Sequence, residues 1–332
     1  MAFTRLVQGA AFAVAATIGF GIAPALAGTI EIHNTMGTGG SEEAALVKFQ
    51  ELIKDKLGDD FEVNIYLNSQ LGSEAEVLEL LNIGQTQMAL TGGAFMGQYA
   101  AEYNAVSVPF VLPNWESVEH YIMDTESGKK MQELARERGN LVYLGPQKRA
   151  FRHMTSNKAI HTPDDLEGLP MRMPKIPVWI DVWEQLGIQA VVIPSSDIYL
   201  AMRTGQVQAH ENSLASPYTR QMWEVQKFII TTSHLSFPWH WVASAQWWDG
   251  LTDEQRTAIS EAVAEARQYG TQVETEKDSF YRDALIEKGM EFIDVDQAPF
   301  REKAAPAIER AMSGMAPTVA DDIKASIAAS SK

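Results

Sequence analysis

The sequence contains no cysteine among its 332 residues, which rules out disulfides, thiol nucleophiles and thiolate metal sites. Stability has to come from packing alone. Positive charge is also scarce, with 27 Lys and Arg against 43 Asp and Glu and a formal net charge of −16. Nucleic acid is therefore not an expected partner, because its binding runs on cationic side chains that neutralise phosphates. Beyond the N-terminal segment, no stretch approaches the ~20 apolar residues of a membrane-spanning helix. H-E-x-x-H, G-x-S-x-G, a P-loop and a strand-following G-x-G-x-x-G are all missing, so the common signatures of zinc peptidases, hydrolases and nucleotide enzymes are absent. A periplasmic hydrolase is only a minor alternative, and no metal or other cofactor is expected. Among the seven histidines, His210 adjoins Glu211, but neighbours in a strand point to opposite faces and cannot both enter one site.

What is present begins with a leader. Arg5 precedes an apolar stretch from Ala10 to Ile22, and Ala25-Leu26-Ala27 closes it. Residues 1–27 read as a secretory signal peptide, which places the mature protein, starting near Gly28, in the periplasm. The rest is too long for one ordinary core and suits two domains of roughly 150 residues each. Its acidity does not forbid an anionic ligand. The Debye length at physiological salt is only about 8 Å, so a buried arginine dominates its own pocket.

Ile30 and Ile32 alternate with polar neighbours as in a strand. Ser41 then reads as the cap of a helix carrying Ala45, Leu46, Phe49, Leu52 and Ile53 at helical spacing, with Gly58 just past its end. Phe61, Val63 and Ile65 signal the next strand. Ser73-Glu74-Ala75-Glu76 is a capping box for a helix that turns Val77, Leu78, Leu80 and Leu81 inward. The end of this unit, residues 81–89, recurs 121 residues later at 202–210: Gly84 and Gly205 each end a helix, and a short strand follows at once. Two α/β lobes of matching construction would set Thr91-Gly92-Gly93 opposite Glu211-Asn212-Ser213 across a cleft, beyond the carboxyl ends of their strands. From Leu251 to about Lys288 helical periodicity is almost unbroken, as for one helix spanning both lobes, with Gly270 a candidate kink.

Lys148, Arg149, Arg152, Lys158, Arg172 and Lys175 cluster in this otherwise acidic chain. Arg152 and Arg172 stand between apolar strand residues that favour burial. A buried guanidinium needs a partner: a ligand carboxylate, or an internal acid such as Asp164, Asp165 or Glu211. Arg152-His153-Met154-Thr155-Ser156, then Ile160 to Leu169 and Met171-Arg172-Met173-Pro174, resemble the extracytoplasmic receptors of tripartite ATP-independent periplasmic (TRAP) transporters. The likeness continues through Asp197 to Met202, Gly205 to Ser213, Glu224 to Lys227 and Ser233-His234.

The resemblance implies an α/β, two-lobed periplasmic binding protein fold with a long helix spanning both lobes. It places lobe I at residues 28–149 and 238–277, and lobe II at 150–237 and 278–332. It implies a receptor that binds a small organic anion and delivers it to small and large permease components in the membrane. Arg172 would make the main salt bridge, with Arg152 assisting and Asn212 adding a polar contact. Thr35, Ser69, Glu74, Gly92, Ser195, His234 and Trp239 complete the candidate contacts. Gly92 and Ser195 are small where relatives carry larger groups, so the ligand or a tryptophan (Trp179, Trp239 or Trp241) fills that space. The ligand's identity stays open between C4-dicarboxylates, hydroxy or keto acids, sugar acids and aromatic acids, with a sulfonate as the alternative.

Overall fold

A computed structural model describes residues 28–92 and 94–331. The expected signal peptide, residues 1–27, lies outside them. The chain opens with β1 (Gly28–His33), α1 (Ser41–Leu57), β2 (Phe61–Tyr66), α2 (Glu74–Asn82), β3 (Met88–Thr91), α3 (Ala94–Tyr99), α4 (Trp115–Asp124), α5 (Glu126–Gly139) and β4 (Leu141–Gln147). It crosses to β5 (Arg152–Ser156), β6 (Pro170–Met173), α6 (Pro177–Gln185), β7 (Gln189–Val192), α7 (Ile198–Arg203), β8 (Ala209–Asn212), α8 (Ala215–Thr219) and β9 (Phe228–Leu235). It then returns through β10 (Trp239–Ser244), α9 (Ala245–Asp249), α10 (Asp253–Glu287), β11 (Glu291–Ile293), α11 (Gln297–Ser313) and α12 (Thr318–Ala329). Among the described residues no helix is long and apolar enough to cross a membrane.

Two sheets give two lobes. The first has the order β2-β1-β3-β10-β4, parallel except for β10, which runs antiparallel to both neighbours. The second has the order β11-β9-β5-β8-β6-β7, with β5 antiparallel to β8 and β9. Ile30 and Ile32 are buried in β1, and the five apolar residues read from the spacing of α1 are buried against the first sheet and α10. The 121-residue echo is structural. Gly84 (φ +74°) and Gly205 (φ +73°) end α2 and α7 in the left-handed conformation that a side chain resists. Their N–H groups donate to Leu81 and Met202, three residues back in each case.

Three expectations need correction. Ser41 is not the cap of α1: Gly40 holds that place, and the Ser41 hydroxyl donates to Glu274 across the fold at 2.6 Å. Gly270 does not interrupt α10, a single helix of 35 residues and about 50 Å. Its missing side chain instead lets α1 and β4 approach, since a Cβ would sit 2.8 Å from Ala45 Cβ and 2.5 Å from Gln147 Nε2. The third concerns the C-terminus. Whereas α11 packs on α6, α12 turns back onto α4 and α5 of the first lobe, where Asp322 accepts from Ser127 N–H at 2.9 Å. Thus α12 packs on elements of the range expected for lobe I, although 278–332 had been assigned to lobe II. Near its other end, α10 reaches the second lobe through Tyr281, whose ring lies 5.3 Å from that of Tyr218 on α8.

Gly270→Ala weighs two effects. Alanine favours the helix by about 1 kcal/mol, but overpacking costs about 1–3 kcal/mol. Gln147 cannot swing aside freely because its Oε1 accepts from Trp241 Nε1 at 3.0 Å. The substitution is expected to lower the melting temperature; a rise would show that α1 and α10 separate at no cost.

Candidate ligand-binding site

The exits of β3 and β8 meet at a cavity between the lobes. Thr35, Met36, Glu74 and Gly92 line it from the first lobe, and Arg152, Arg172, Ser195 and Asn212 from the second. Trp239 and Trp179 wall its sides, with Arg149 entering from the crossing segment after β4. Gly92 is small for a packing reason: a Cβ there would come within 2.8 Å of Glu74 Oε1 and 3.2 Å of Trp239 Cζ3. The tryptophan ring occupies that space.

The three arginines have different partners. Arg152, on β5, is locked against Glu211: its Nε donates to Oε2, and its Nη2 donates to Oε1 and to the backbone carbonyl, both at 2.8 Å. Its plane lies 4.7 Å from the Trp179 ring. Burial alone would raise the Glu211 carboxyl, but Arg152 and His234 hold it far below the usual range. Arg149 donates to Asn212 Oδ1 at 2.6 Å and stacks over Trp239 at 4.1 Å. Arg172 is only 4% exposed, yet its single protein hydrogen bond among the described residues is Nε to the Ile193 carbonyl, 2.8 Å. Neither Arg149 nor Arg172 makes an ion pair with any described residue. Burial draws Arg172 down to about 9 against the opposing charge of Glu211, and burial, then the charge of Arg152, draws Arg149 to about 10, so both remain charged at neutral pH. The site therefore holds one internally neutralised guanidinium and two without a carboxylate partner, in surroundings where isolated charge is costly.

Eight of the ten expected contact residues line this cavity. Ser69 and His234 do not. Ser69 lies in the turn after β2 at φ +59°, its hydroxyl buried without a partner. His234 stands behind the cavity, with Nε2 3.1 Å from Glu211 Oε2 and Nδ1 2.8 Å from the Thr232 hydroxyl. It fixes the acid that fixes Arg152. Trp241 packs on Phe49 in the first core and does not reach the cavity. Glu211 and His210 do point apart, as strand alternation requires: His210 Nδ1 meets Thr155 at 2.7 Å instead.

A family model described as bacterial extracellular solute-binding protein, family 7, matches residues 33–314. The chain belongs to this family. A solute-binding protein of Roseobacter denitrificans is 26% identical over 92% of this chain and 94% of its own. The C4-dicarboxylate-binding periplasmic protein DctP of Rhodobacter capsulatus is 29% identical over 73% of this chain and 72% of its own. Among solved structures, a TRAP periplasmic solute-binding protein of Anaerococcus prevotii with bound D-glucuronate superimposes with a TM-score of 0.86 at 23% identity, over 92% of this chain and 98% of that one. As a family 7 solute-binding protein of the TRAP type, the chain is a periplasmic receptor that works with membrane permease subunits.

Within this family 7 receptor, two site residues escaped the sequence reading. Arg149 carried only a membership signal, as one of six clustered cations. Arg220 carried none; its Nη2 joins the lobes by donating to the Thr35 carbonyl and to Ser195 Oγ, both at 2.9 Å. Behind Arg149 lie two further buried carboxyls. Glu42 accepts from Trp239 Nε1 at 2.7 Å. Glu274, on α10, accepts from Ser41 Oγ and, at 2.9 Å, from Ala150 N–H. Burial, then the charge of Glu42, pushes Glu274 up to about 7. A carboxyl raised in the folded state binds an extra proton on folding, so its contribution to stability falls as pH rises through its folded pKa and levels off above it. Glu274→Gln, neutral at every pH and still able to accept from Ala150, should melt higher than wild type at pH 8 relative to the difference at pH 5. An equal difference at both pH values in thermal unfolding contradicts the assignment.

Proposed function

We propose that the receptor's ligand is a small organic acid whose carboxylate is held chiefly by Arg172, with Arg149 and Asn212 beside it and Arg152 serving as a fixed, already neutralised wall. The observation that carries this is Arg172 itself: a buried guanidinium with both Nη groups lacking a partner among the described residues, on the wall of an interlobe cavity. A planar, bidentate carboxylate matches that fork and returns the charge compensation that the protein withholds. The relatives support the chemistry, since the ligands named for them are D-glucuronate, L-galactonate and C4-dicarboxylates. Thr35, Gly92, Ser195 and Trp239 complete the enclosure.

Catalysis has no part in this proposal. Among the described residues no histidine lines the cavity, and the Ser195 hydroxyl accepts from Arg220.

We further propose that lobe I comprises residues 28–149 and 238–277 together with α12, and that lobe II comprises the remainder of 150–316. Among the described residues four segments cross between them: residues 148–151, residues 236–238, α10, and residues 314–317 between α11 and α12. Opening would break the bonds from Arg220 to Thr35, from Arg149 to Asn212 and from Trp179 Nε1 to the Ser107 carbonyl. Ligand that joins the lobes makes the closed form dominant, and that form presents a composite surface to the permease.

Arg172→Ala is expected to weaken binding of the cognate acid by about 2–5 kcal/mol in titration calorimetry, because the ligand's charge is then stranded in a dry cavity. Arg172→Lys is also impaired, a point charge being no substitute for the fork. Unchanged affinity in both defeats the assignment. For the wild type, affinity should be level from pH 6 to 8 and fall as pH rises through about 9, where Arg172 loses its proton. Affinity rising over that range would contradict a charged Arg172.

A further inference from the structure

Glu74 places a carboxylate on the wall of a cavity otherwise suited to an anion. It is the first residue of α2, after the Ser73 cap. Its Oε1 accepts from Gly92 N–H and, at 3.4 Å, from the Thr91 hydroxyl. Because Gly92 has no Cβ to press on that oxygen, the carboxylate sits hard against the end of β3 and is held there. Oε2 has no hydrogen-bond partner among the described residues. The charge of Glu74 reaches Arg149, Arg172 and Arg220, yet it makes no salt bridge with any of them. A direct pair with Arg172 would have consumed both the acceptor and the cation. Both remain available instead, and both also line the adjoining apolar groove with Val192 and Pro194, so they flank the passage between the two spaces.

We propose, on the footing that this is a receptor for an organic acid, that Glu74 sets its specificity: it admits a monocarboxylate bearing a hydroxyl some carbons from the acid group and rejects a dicarboxylate. An ionised carboxylate only accepts hydrogen bonds. A ligand hydroxyl can donate to Oε2 while its acid group rests on Arg172. A second ligand carboxylate in that place would bring two like charges together beside buried side chains, where their repulsion is poorly screened. Glu211 already neutralises Arg152, and the charges of Glu42 and Glu274 behind Arg149 offset that guanidinium, so neither is free to balance the extra charge. The preference is thus electrostatic, and it acts against a diacid whatever its length.

The test is titration calorimetry at pH 7.5 on wild type and Glu74→Gln, with D-gluconate, D-glucuronate and D-erythronate against succinate and glutarate. Wild type should bind at least one hydroxylated monocarboxylate tenfold or more tightly than either diacid. Glu74→Gln should shrink that ratio at least tenfold, mainly through tighter diacid binding, since the glutamine amide can donate to a second carboxylate. Glu74→Asp, which keeps the charge, should still disfavour diacids and separates charge from loss of fold. Diacid binding in wild type as tight as that of the hydroxy acids, or an unchanged ratio in Glu74→Gln, overturns the proposal. If that diacid binding is abolished by Arg172→Ala, selection by Glu74 falls while the organic-acid receptor stands. If neither set binds to wild type, both fall together.

Discussion

The proposed function rests on one expense: positive charge buried without a matching protein acid. Removing a guanidinium from water costs several kcal/mol unless it is paired and fully hydrogen-bonded. Arg152 on β5 and Arg172 on β6 show both outcomes within one sheet. Arg152 is clasped by Glu211, itself steadied by His234, and contributes a rigid floor. Arg172 receives one backbone carbonyl and is otherwise left to the cavity. The protein gives up some stability there, and on the proposed reading a ligand anion restores it, so that occupancy and closure become the same event.

The fold places that charge by repeating a simple device. A helix ends at a left-handed glycine, a four-residue strand follows, and the strand's exit opens onto the cleft. In the first lobe the device delivers Gly92 and, through its contact, Glu74; in the second it delivers Glu211 and Asn212. Because the sheets belong to different lobes, neither lobe holds a complete site alone. The crossing helix α10 ties the cavity's surroundings together, since Glu274 on that helix bonds both Ser41 of the first lobe and Ala150 of the segment leading to the second.

Much of this was legible in the sequence wherever local rules act. The capping box at Ser73, the paired glycines at 84 and 205, and the unbroken periodicity after Leu251 each stem from interactions within a few residues, and each appears in the fold. The burial of Arg172 was legible from its methionine neighbours, both of which are core residues. What escaped is tertiary. Arg149 lies in an aperiodic crossing segment, so nothing local marks its direction. Ser69 and His234 entered the candidate set with the family resemblance, yet a shared motif does not by itself determine which side chains reach a cavity. Gly270 and α12 show the same limit: a glycine reads as a break until its neighbours are known, and a terminal helix has no local signal of the lobe it will join.

The most direct measurement is a crystal structure of the mature protein with its acid bound. The account predicts the ligand's carboxylate oxygens within hydrogen-bonding distance of both Arg172 Nη atoms, with Arg152 still clasped by Glu211. An acid bound elsewhere, while Arg172 turns to pair with a carboxylate of the protein, would contradict it.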